Sequence, residues 1–296
     1  MEKKIKTHKI LDHPILGYFL LALLVSLIAS IFSEIIDDII LTAFIPGYAP
    51  AGAKPGSVNG IGAAVGAVIA MLIHKRHFKP DFQGCLVKEN FVSGMKMVIP
   101  FVVLHVAGSI VSIAICGVDN VGRALLIATA PGFMEEAMFR GVGISNYMRT
   151  IKDEKKIPVI FWLSSLVFGL IHIANIFAGA DPFTSVLQGI YASGVGLLFG
   201  AVYLRTGNLW PTIIAHTIVD WAELCRADLG ATGGVMKGMI LGDWITIVVG
   251  IAAGVLGVYL MRKEKRGEIM EVWNRRWNRK PEETAEESTE ELKQEE

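Results

Sequence analysis

Two adjacent carboxylates and a cation stand inside an apolar stretch, Met134-Glu135-Glu136-Ala137-Met138-Phe139-Arg140. Two later apolar stretches each carry a histidine. One reads Phe168-Gly169-Leu170-Ile171-His172-Ile173-Ala174-Asn175, and the other runs from Trp210-Pro211 to His216-Thr217-Ile218-Val219-Asp220. Ionisable groups at membrane depth are costly, so their default reading is a functional site. These types suit hydrolysis. A carboxylate can take a proton from water, and an imidazole can donate a hydrogen bond to a developing oxyanion.

Helical spacing divides the roles. Glu136 and Arg140 are four residues apart on one face and are expected to pair. Glu135 is turned away by about 100° and projects elsewhere. The plainer alternative is a single neutralised cluster of both glutamates and Arg140 that holds helices together. His172 lies about one turn from Phe168 and Asn175, so the three share a face. A lone histidine there would read as a hydrogen-bonded core residue. His216 and Asp220 also share a face, and Pro211 suits the first helical turn after Gly207-Asn208. That puts His216 about 8 Å into its helix. Three separate helices thus offer Glu, His, and His with Asp.

The elements that must position these groups are membrane helices. The chain has 296 residues, 52% of them hydrophobic, with 28 basic residues balanced by 28 acidic ones. Its mean hydropathy is +0.49. Repeated apolar runs near the bilayer-spanning length of about 20 residues exclude an ordinary soluble domain. Each span must satisfy its own backbone hydrogen bonds in hydrocarbon, which predicts an all-α polytopic membrane protein. About eight spans are expected: Ile15 to Ile36, Val58 to Ile73, Phe91 to Ile115, Val121 continuing towards Arg149, Ile157 to Phe177, Phe183 to Tyr203, Leu209 to Ala222, and Met239 to Met261.

Basic residues orient the stack. Lys3, Lys4, Lys6 and Lys9 precede the first span, and Lys75, Arg76, Lys79 and Lys88 follow the second. Arg149, Lys152, Lys155 and Lys156 follow the fourth, Arg205 the sixth, and Arg262, Lys263, Lys265 and Arg266 the eighth. The alternate connections hold little: Lys54, Arg123, then Arg226 and Lys237. The positive-inside rule therefore predicts a multi-pass cell-membrane protein with both termini cytoplasmic. Residues 1–14 form the N-terminus and 15–262 the membrane domain, with its core about 123–224. Residues 263–296 form a basic, then acidic tail. The first apolar run reads as a retained signal anchor.

Secondary features divide between packing and surface roles. Ile269, Trp273 and Trp277 recur at helical spacing among Arg275, Arg276, Arg279 and Lys280, a pattern expected to lie on an anionic inner leaflet. From Pro281 glutamates dominate, as in a disordered tail. Cys85, Cys116 and Cys225 show no metal-ligand or redox spacing. The pairs Gly62/Gly66, Gly196/Gly200 and Gly250/Gly254 read as close helix approaches. His105 reads as a satisfied packing residue, Glu34, Asp37 and Asp38 as possible cavity lining, and Glu223 and Arg226 as interface markers.

Glu135-Glu136-xxx-Arg140, Phe168-xxx-His172 and His216-xxx-Asp220, in this order, resemble the signatures of the CPBP family, the CAAX protease and bacteriocin-processing proteins. The resemblance covers roughly Arg123 to Leu224. It implies an eight-helix membrane fold and a glutamate-dependent, metal-independent intramembrane endopeptidase. By the same resemblance Glu135 is the general base that activates water, assisted by His172. His216 and Asp220 lie at the oxyanion site, and Glu136 with Arg140 orders the fourth helix. The prenyl proteases carry Asn where this chain has Asp220. An ionised aspartate only accepts hydrogen bonds, so Asp220 is expected to orient His216, leaving His216 as the side-chain donor.

No cofactor is expected. Zinc held by Glu135, His172 and His216 is the alternative, although the chain has no HExxH. The expected partners are the lipid bilayer and a membrane-associated peptide or protein substrate, prenylated in a CAAX role. A bacterial peptide-processing and self-immunity role is also implied by the resemblance, and no nucleic acid is expected. The competing class is a non-catalytic scaffold or a proton-coupled transporter that uses the same polar cluster as a relay.

Overall fold

The computed structural model of the protein describes residue 10 and residues 13–44, 61–78, 84–118, 121–226 and 241–277. The N-terminal lysines, Lys54, Lys79, Lys237, Arg279, Lys280, the acidic stretch from Pro281, and the expected starts of the second and eighth spans at Val58 and Met239 lie outside these residues. Among the described residues the chain is helical, apart from an isolated antiparallel bridge between Val118 and Arg226.

Helix α1 (Pro14–Ser33) starts where the His13 ring accepts a hydrogen bond from Leu16 N–H at 3.1 Å. Pro14 stands at a position that needs no donor. α1 runs on through a π-helical segment, Glu34–Leu41, into Thr42–Phe44. Next come α2 (Ile61–Phe78) and α3 (Phe91–Cys116). α4 (Val121–Glu136) passes without a break through a π-helical segment, Ala137–Ile144, into Ser145–Thr150, so the expected continuation towards Arg149 is present. α5 (Ile157–Ile173) ends in a 3₁₀ turn, Ala174–Ala178. α6 (Pro182–Thr206), α7 (Trp210–Leu224), α8 (Leu241–Leu260) and a terminal α9 (Arg266–Arg276) complete the order.

Helices α1 to α8 fall at the eight predicted positions, but they are not eight equal crossings. Among the described residues five apolar stretches are long enough to cross a membrane: Pro14–Phe44, Phe91–Cys116, Glu154–Phe177, Pro182–Thr206 and Leu241–Leu260. The apolar part of α2, Ile61–Ile73, is shorter. α4 carries the charges, and α7 has only 15 residues. Leu23, Val103, Leu166 and Val255 are exposed on the long helices, as lipid-facing side chains are.

α6 is the centre of the bundle. Of its apolar stretch 61% is buried, against 33% for α1 and α3. α5 and α8 pack along it, while α4 pairs with α7 and α1 with α2. Asp181 caps the start of α6 by accepting from Thr184 N–H at 2.9 Å, and Gly207, at φ +64°, ends it. Helices in lipid gain little by excluding water from one another, so close packing must hold them. A Cβ on Gly66 would stand 2.7 Å from Ala29 Cα, and one on Gly194 would stand 2.3 Å from the Gly250 carbonyl oxygen. The glycine spacing predicted such contacts. Asp37 is not cavity lining. It is buried, and its carboxylate accepts from Gly62 N–H at 2.9 Å, capping the start of α2.

The expected leaflet-lying tail is also corrected. In α9, Ile269, Met270 and Trp273 are buried against the protein. Trp273 Nε1–H donates to the Leu204 carbonyl at 2.8 Å, and Arg276 Nη1 donates to the Gly207 carbonyl at 2.9 Å. The last carbonyls of a helix lack internal partners and carry its negative dipole end. α9 supplies the end of α6 with donors and a cation, which leaves that apolar face covered by protein.

Candidate active site

α4 and α7 meet almost backbone to backbone. A Cβ on Gly132 would stand 2.4 Å from Thr217 Oγ1 and 2.9 Å from Thr217 N. Gly132 precedes Glu135 by one turn, and Thr217 follows His216, so this approach brings the acidic pair onto the histidine.

Glu136 is fully buried and forms the hub. Its Oε1 accepts from Arg140 Nη1 at 2.8 Å, as the spacing predicts, and also lies 2.9 Å from His216 Nδ1. An ionised carboxylate only accepts, so Nδ1 must carry the hydrogen and Nε2 faces the other way. Nε2 lies 3.8 Å from Glu135 Oε2 and 3.6 Å from Asp220 Oδ2. Side-chain exposure falls from 28% at Asp220 and 22% at Glu135 to 8% at His216 and zero at Glu136. The site thus opens on the side of Asp220 and Glu135. Glu135 Oε2 is buried and has no hydrogen-bond partner among the described residues.

The orienting group for His216 differs from the one expected. Asp220, the i+4 residue, stands beyond hydrogen-bond distance, and the buried Glu136 from another helix grips Nδ1 instead. Glu136 therefore does more than order α4.

Arg140 sits in the π-helical segment, a backbone form that often marks functional turns. Its guanidinium lies 4.5 Å from the centre of the Phe168 ring, and Nη2 reaches the Gly196 carbonyl at 3.4 Å. Desolvated cation–π contacts of this kind are worth about 2 kcal/mol. Phe168 is equally central. Its ring packs edge-on to His172 at 4.8 Å and to His216 at 6.0 Å between centroids. His172 Nδ1 lies 2.8 Å from the Phe168 carbonyl, which can only accept. The hydrogen is then on Nδ1, and neutral His172 offers a lone pair at Nε2.

Asn175 is not joined to His172. It falls in the 3₁₀ turn beyond α5, where its Nδ2 donates to Gln188 Oε1 at 3.4 Å on an exposed face. Glu223 is more than an interface marker. It turns inward to Ser109 Oγ at 3.0 Å and His105 Nε2 at 3.2 Å, while Arg226 pairs with Asp243. The one trace of this in the sequence is that Glu223 follows Asp220 by one turn. Among the described residues no group of three or more His, Cys, Asp or Glu side chains is arranged to hold a metal ion.

No curated protein and no solved structure matches the chain. Residues 117–222 match the family model for the type II CAAX prenyl endopeptidase Rce1-like proteins. That stretch runs from before α4 to Ala222 near the end of α7, and holds every residue of the Glu135–Glu136–His172–His216–Asp220 constellation. Over that stretch of this polytopic chain the sequence is similar to CAAX-type intramembrane proteases.

Proposed function

We propose that the protein is a glutamate-type, metal-independent intramembrane endopeptidase in which Glu135 activates water against a peptide bond of a membrane-associated substrate. The observation that carries this reading is the division of labour at one histidine. Glu136 holds Nδ1 at 2.9 Å, while the unpartnered Glu135 Oε2 faces Nε2 at 3.8 Å.

In this reading Glu135 takes a proton from water as the water oxygen attacks the carbonyl carbon. The carbonyl π electrons move to oxygen, and the oxyanion accepts from His216 Nε2–H when His216 is protonated at both nitrogens. His172, with its lone pair at Nε2, accepts a hydrogen bond from the same water and aligns it. Collapse of the tetrahedral adduct breaks the C–N bond, and the proton held by Glu135 passes to the leaving amine. Glu136, already paired with Arg140, keeps His216 turned towards the reaction without being spent in it. Asp220 acts on His216 through its charge, at 3.6 Å, rather than through a hydrogen bond.

The substrate is a membrane-associated peptide or protein, either a prenylated C-terminus or a peptide precursor, and the peptidase itself sits in the cell membrane with both termini cytoplasmic. The test is cleavage of two reporter peptides, one prenylated and one not, by the purified protein in detergent. Parent protein should cleave at least one, and Glu135→Gln neither. Equal cleavage by Glu135→Gln would sink the proposal. Its stability should stay within about 0.5 kcal/mol of the parent, because the altered oxygen holds no hydrogen bond.

A further inference from the structure

The polar stripe of α7 continues past the site. His216, Asp220 and Glu223 follow one another at steps of four and three residues on one face. Glu223 there meets residues from two other helices. His105 of α3 is 1% exposed, and its Nε2 contacts Glu223 Oε1 at 3.2 Å as an ion pair that is not aligned as a hydrogen bond. Its Nδ1 lies 3.0 Å from the hydroxyl of Tyr191 on α6. Asp220, by contrast, makes no hydrogen bond among the described residues. It feels the charges of His216, Glu135, His172 and His105.

We propose that the buried His105, with the half-buried Tyr191 and Glu223, forms a proton-holding node that sets the charge state of Asp220 and through it the electrostatic field at His216, whose orientation Glu136 fixes. This positioning role rests on the peptidase reading above.

The chemistry of Tyr191 makes the node workable. A phenol hydroxyl can donate or accept. When His105 Nδ1 carries a lone pair, Tyr191 donates to it. When His105 is protonated at both nitrogens, the hydroxyl turns and accepts. His105 therefore keeps Tyr191 as the hydrogen-bond partner of its Nδ1 whichever way the hydrogen is placed. Its other nitrogen faces the Glu223 carboxylate, which Ser109 Oγ fixes at 3.0 Å. The remaining charge facing Glu223 is Arg226, itself paired with Asp243. A cation at His105 thus offsets Glu223. Without it, a carboxylate offset only by Arg226, itself engaged by Asp243, stands one turn, about 6 Å, from Asp220 and opposes its ionisation.

The experiment is pH-difference infrared spectroscopy of the purified full chain, run beside the pH profile of reporter cleavage. Asp220→Asn identifies the carboxyl band of Asp220. His105→Gln should raise the midpoint of that band by about one pH unit and move the corresponding limb of kcat/KM the same way. Adding Glu223→Gln to His105→Gln should return the midpoint to near the parent value, a rescue that a packing defect would not show. Tyr191→Phe keeps the ring and removes the swivelling hydroxyl, so it should also displace the midpoint, and it serves if His105→Gln fails to fold. An unmoved midpoint in the foldable variants, or an equal shift in single and double variants, overturns the node. If the parent cleaves no reporter while the midpoints move as stated, the node stands and the peptidase reading falls.

Discussion

Replacing Glu136 with glutamine keeps the shape of the hub and removes its charge. Oε1 accepts from two donors, Arg140 Nη1 at 2.8 Å and His216 Nδ1 at 2.9 Å, inside a fully buried pocket. A hydrogen bond to a charged group contributes about 1.5–3 kcal/mol. Breaking a buried pair from one side costs about 3–5 kcal/mol, because a bare charge is left behind. Glu136→Gln strands Arg140 in this way, so it should lower stability by about 3–5 kcal/mol in SDS titration of detergent-solubilised protein. Adding Arg140→Met removes the stranded cation while filling its space. It forfeits the cation–π contact with Phe168, about 2 kcal/mol, and should still recover more than half of the loss. Cleavage should not recover with it. In both variants His216 has lost the carboxylate that aims Nε2, and kcat should stay about 10²–10³-fold down. If Glu136→Gln matches the parent in stability and rate, the Arg140–Glu136–His216 chain does not support the site. If the double variant regains cleavage, Glu136 serves only to neutralise Arg140.

The other expectations are brief. His216→Ala should abolish cleavage, whereas Asp220→Asn should keep it within about tenfold, since Asp220 forms no hydrogen bond to His216; a dead Asp220→Asn in the reporter assay would refute this. Gly132→Ala should push α4 off α7 by steric conflict with Thr217, costing about 1–3 kcal/mol and most of the activity; wild-type kinetics would show that the approach is dispensable. Trp273→Ala should lower stability by about 3–5 kcal/mol while leaving the pH profile of cleavage in place, because it strips the end of α6 rather than the site; a shifted profile would contradict that separation. Exhaustive chelation should leave cleavage unchanged, and loss of activity restored by Zn²⁺ would reverse the metal-independent assignment.

Much of the arrangement could be read from local periodicity. Glu136 and Arg140 pair because four residues make roughly one turn, and that rule needs no tertiary information. Gly66 and Gly250 mark close approaches because small residues in apolar helices have few other uses. The helix positions follow from apolar run length, although length could not tell α7, a short buried helix, from a full crossing. Contacts between distant segments were not legible. Nothing local says that Glu136 rather than Asp220 grips His216, since helix–helix register decides it, through Gly132 against Thr217. The apolar face of α9 was visible as a pattern, but the pattern is the same whether lipid or the end of α6 covers it. Asn175 failed for a different reason: the periodic rule assumed α5 continues, and the backbone tightens into a 3₁₀ turn after Ile173.

The π-helical segment Ala137–Ile144 is a matter of residue number as much as residue type. Closing each ring over five residues instead of four accommodates one surplus residue per wide turn. Were the wide turns to persist, losing a single residue there would rotate everything downstream by about a quarter turn relative to Glu135 and Glu136. Asn146, Tyr147 and Met148, all buried now, would swing away from the core. Natural drift in this stretch should therefore swap side chains far more readily than it changes the count, making its length an inherited measurement as well as a connection.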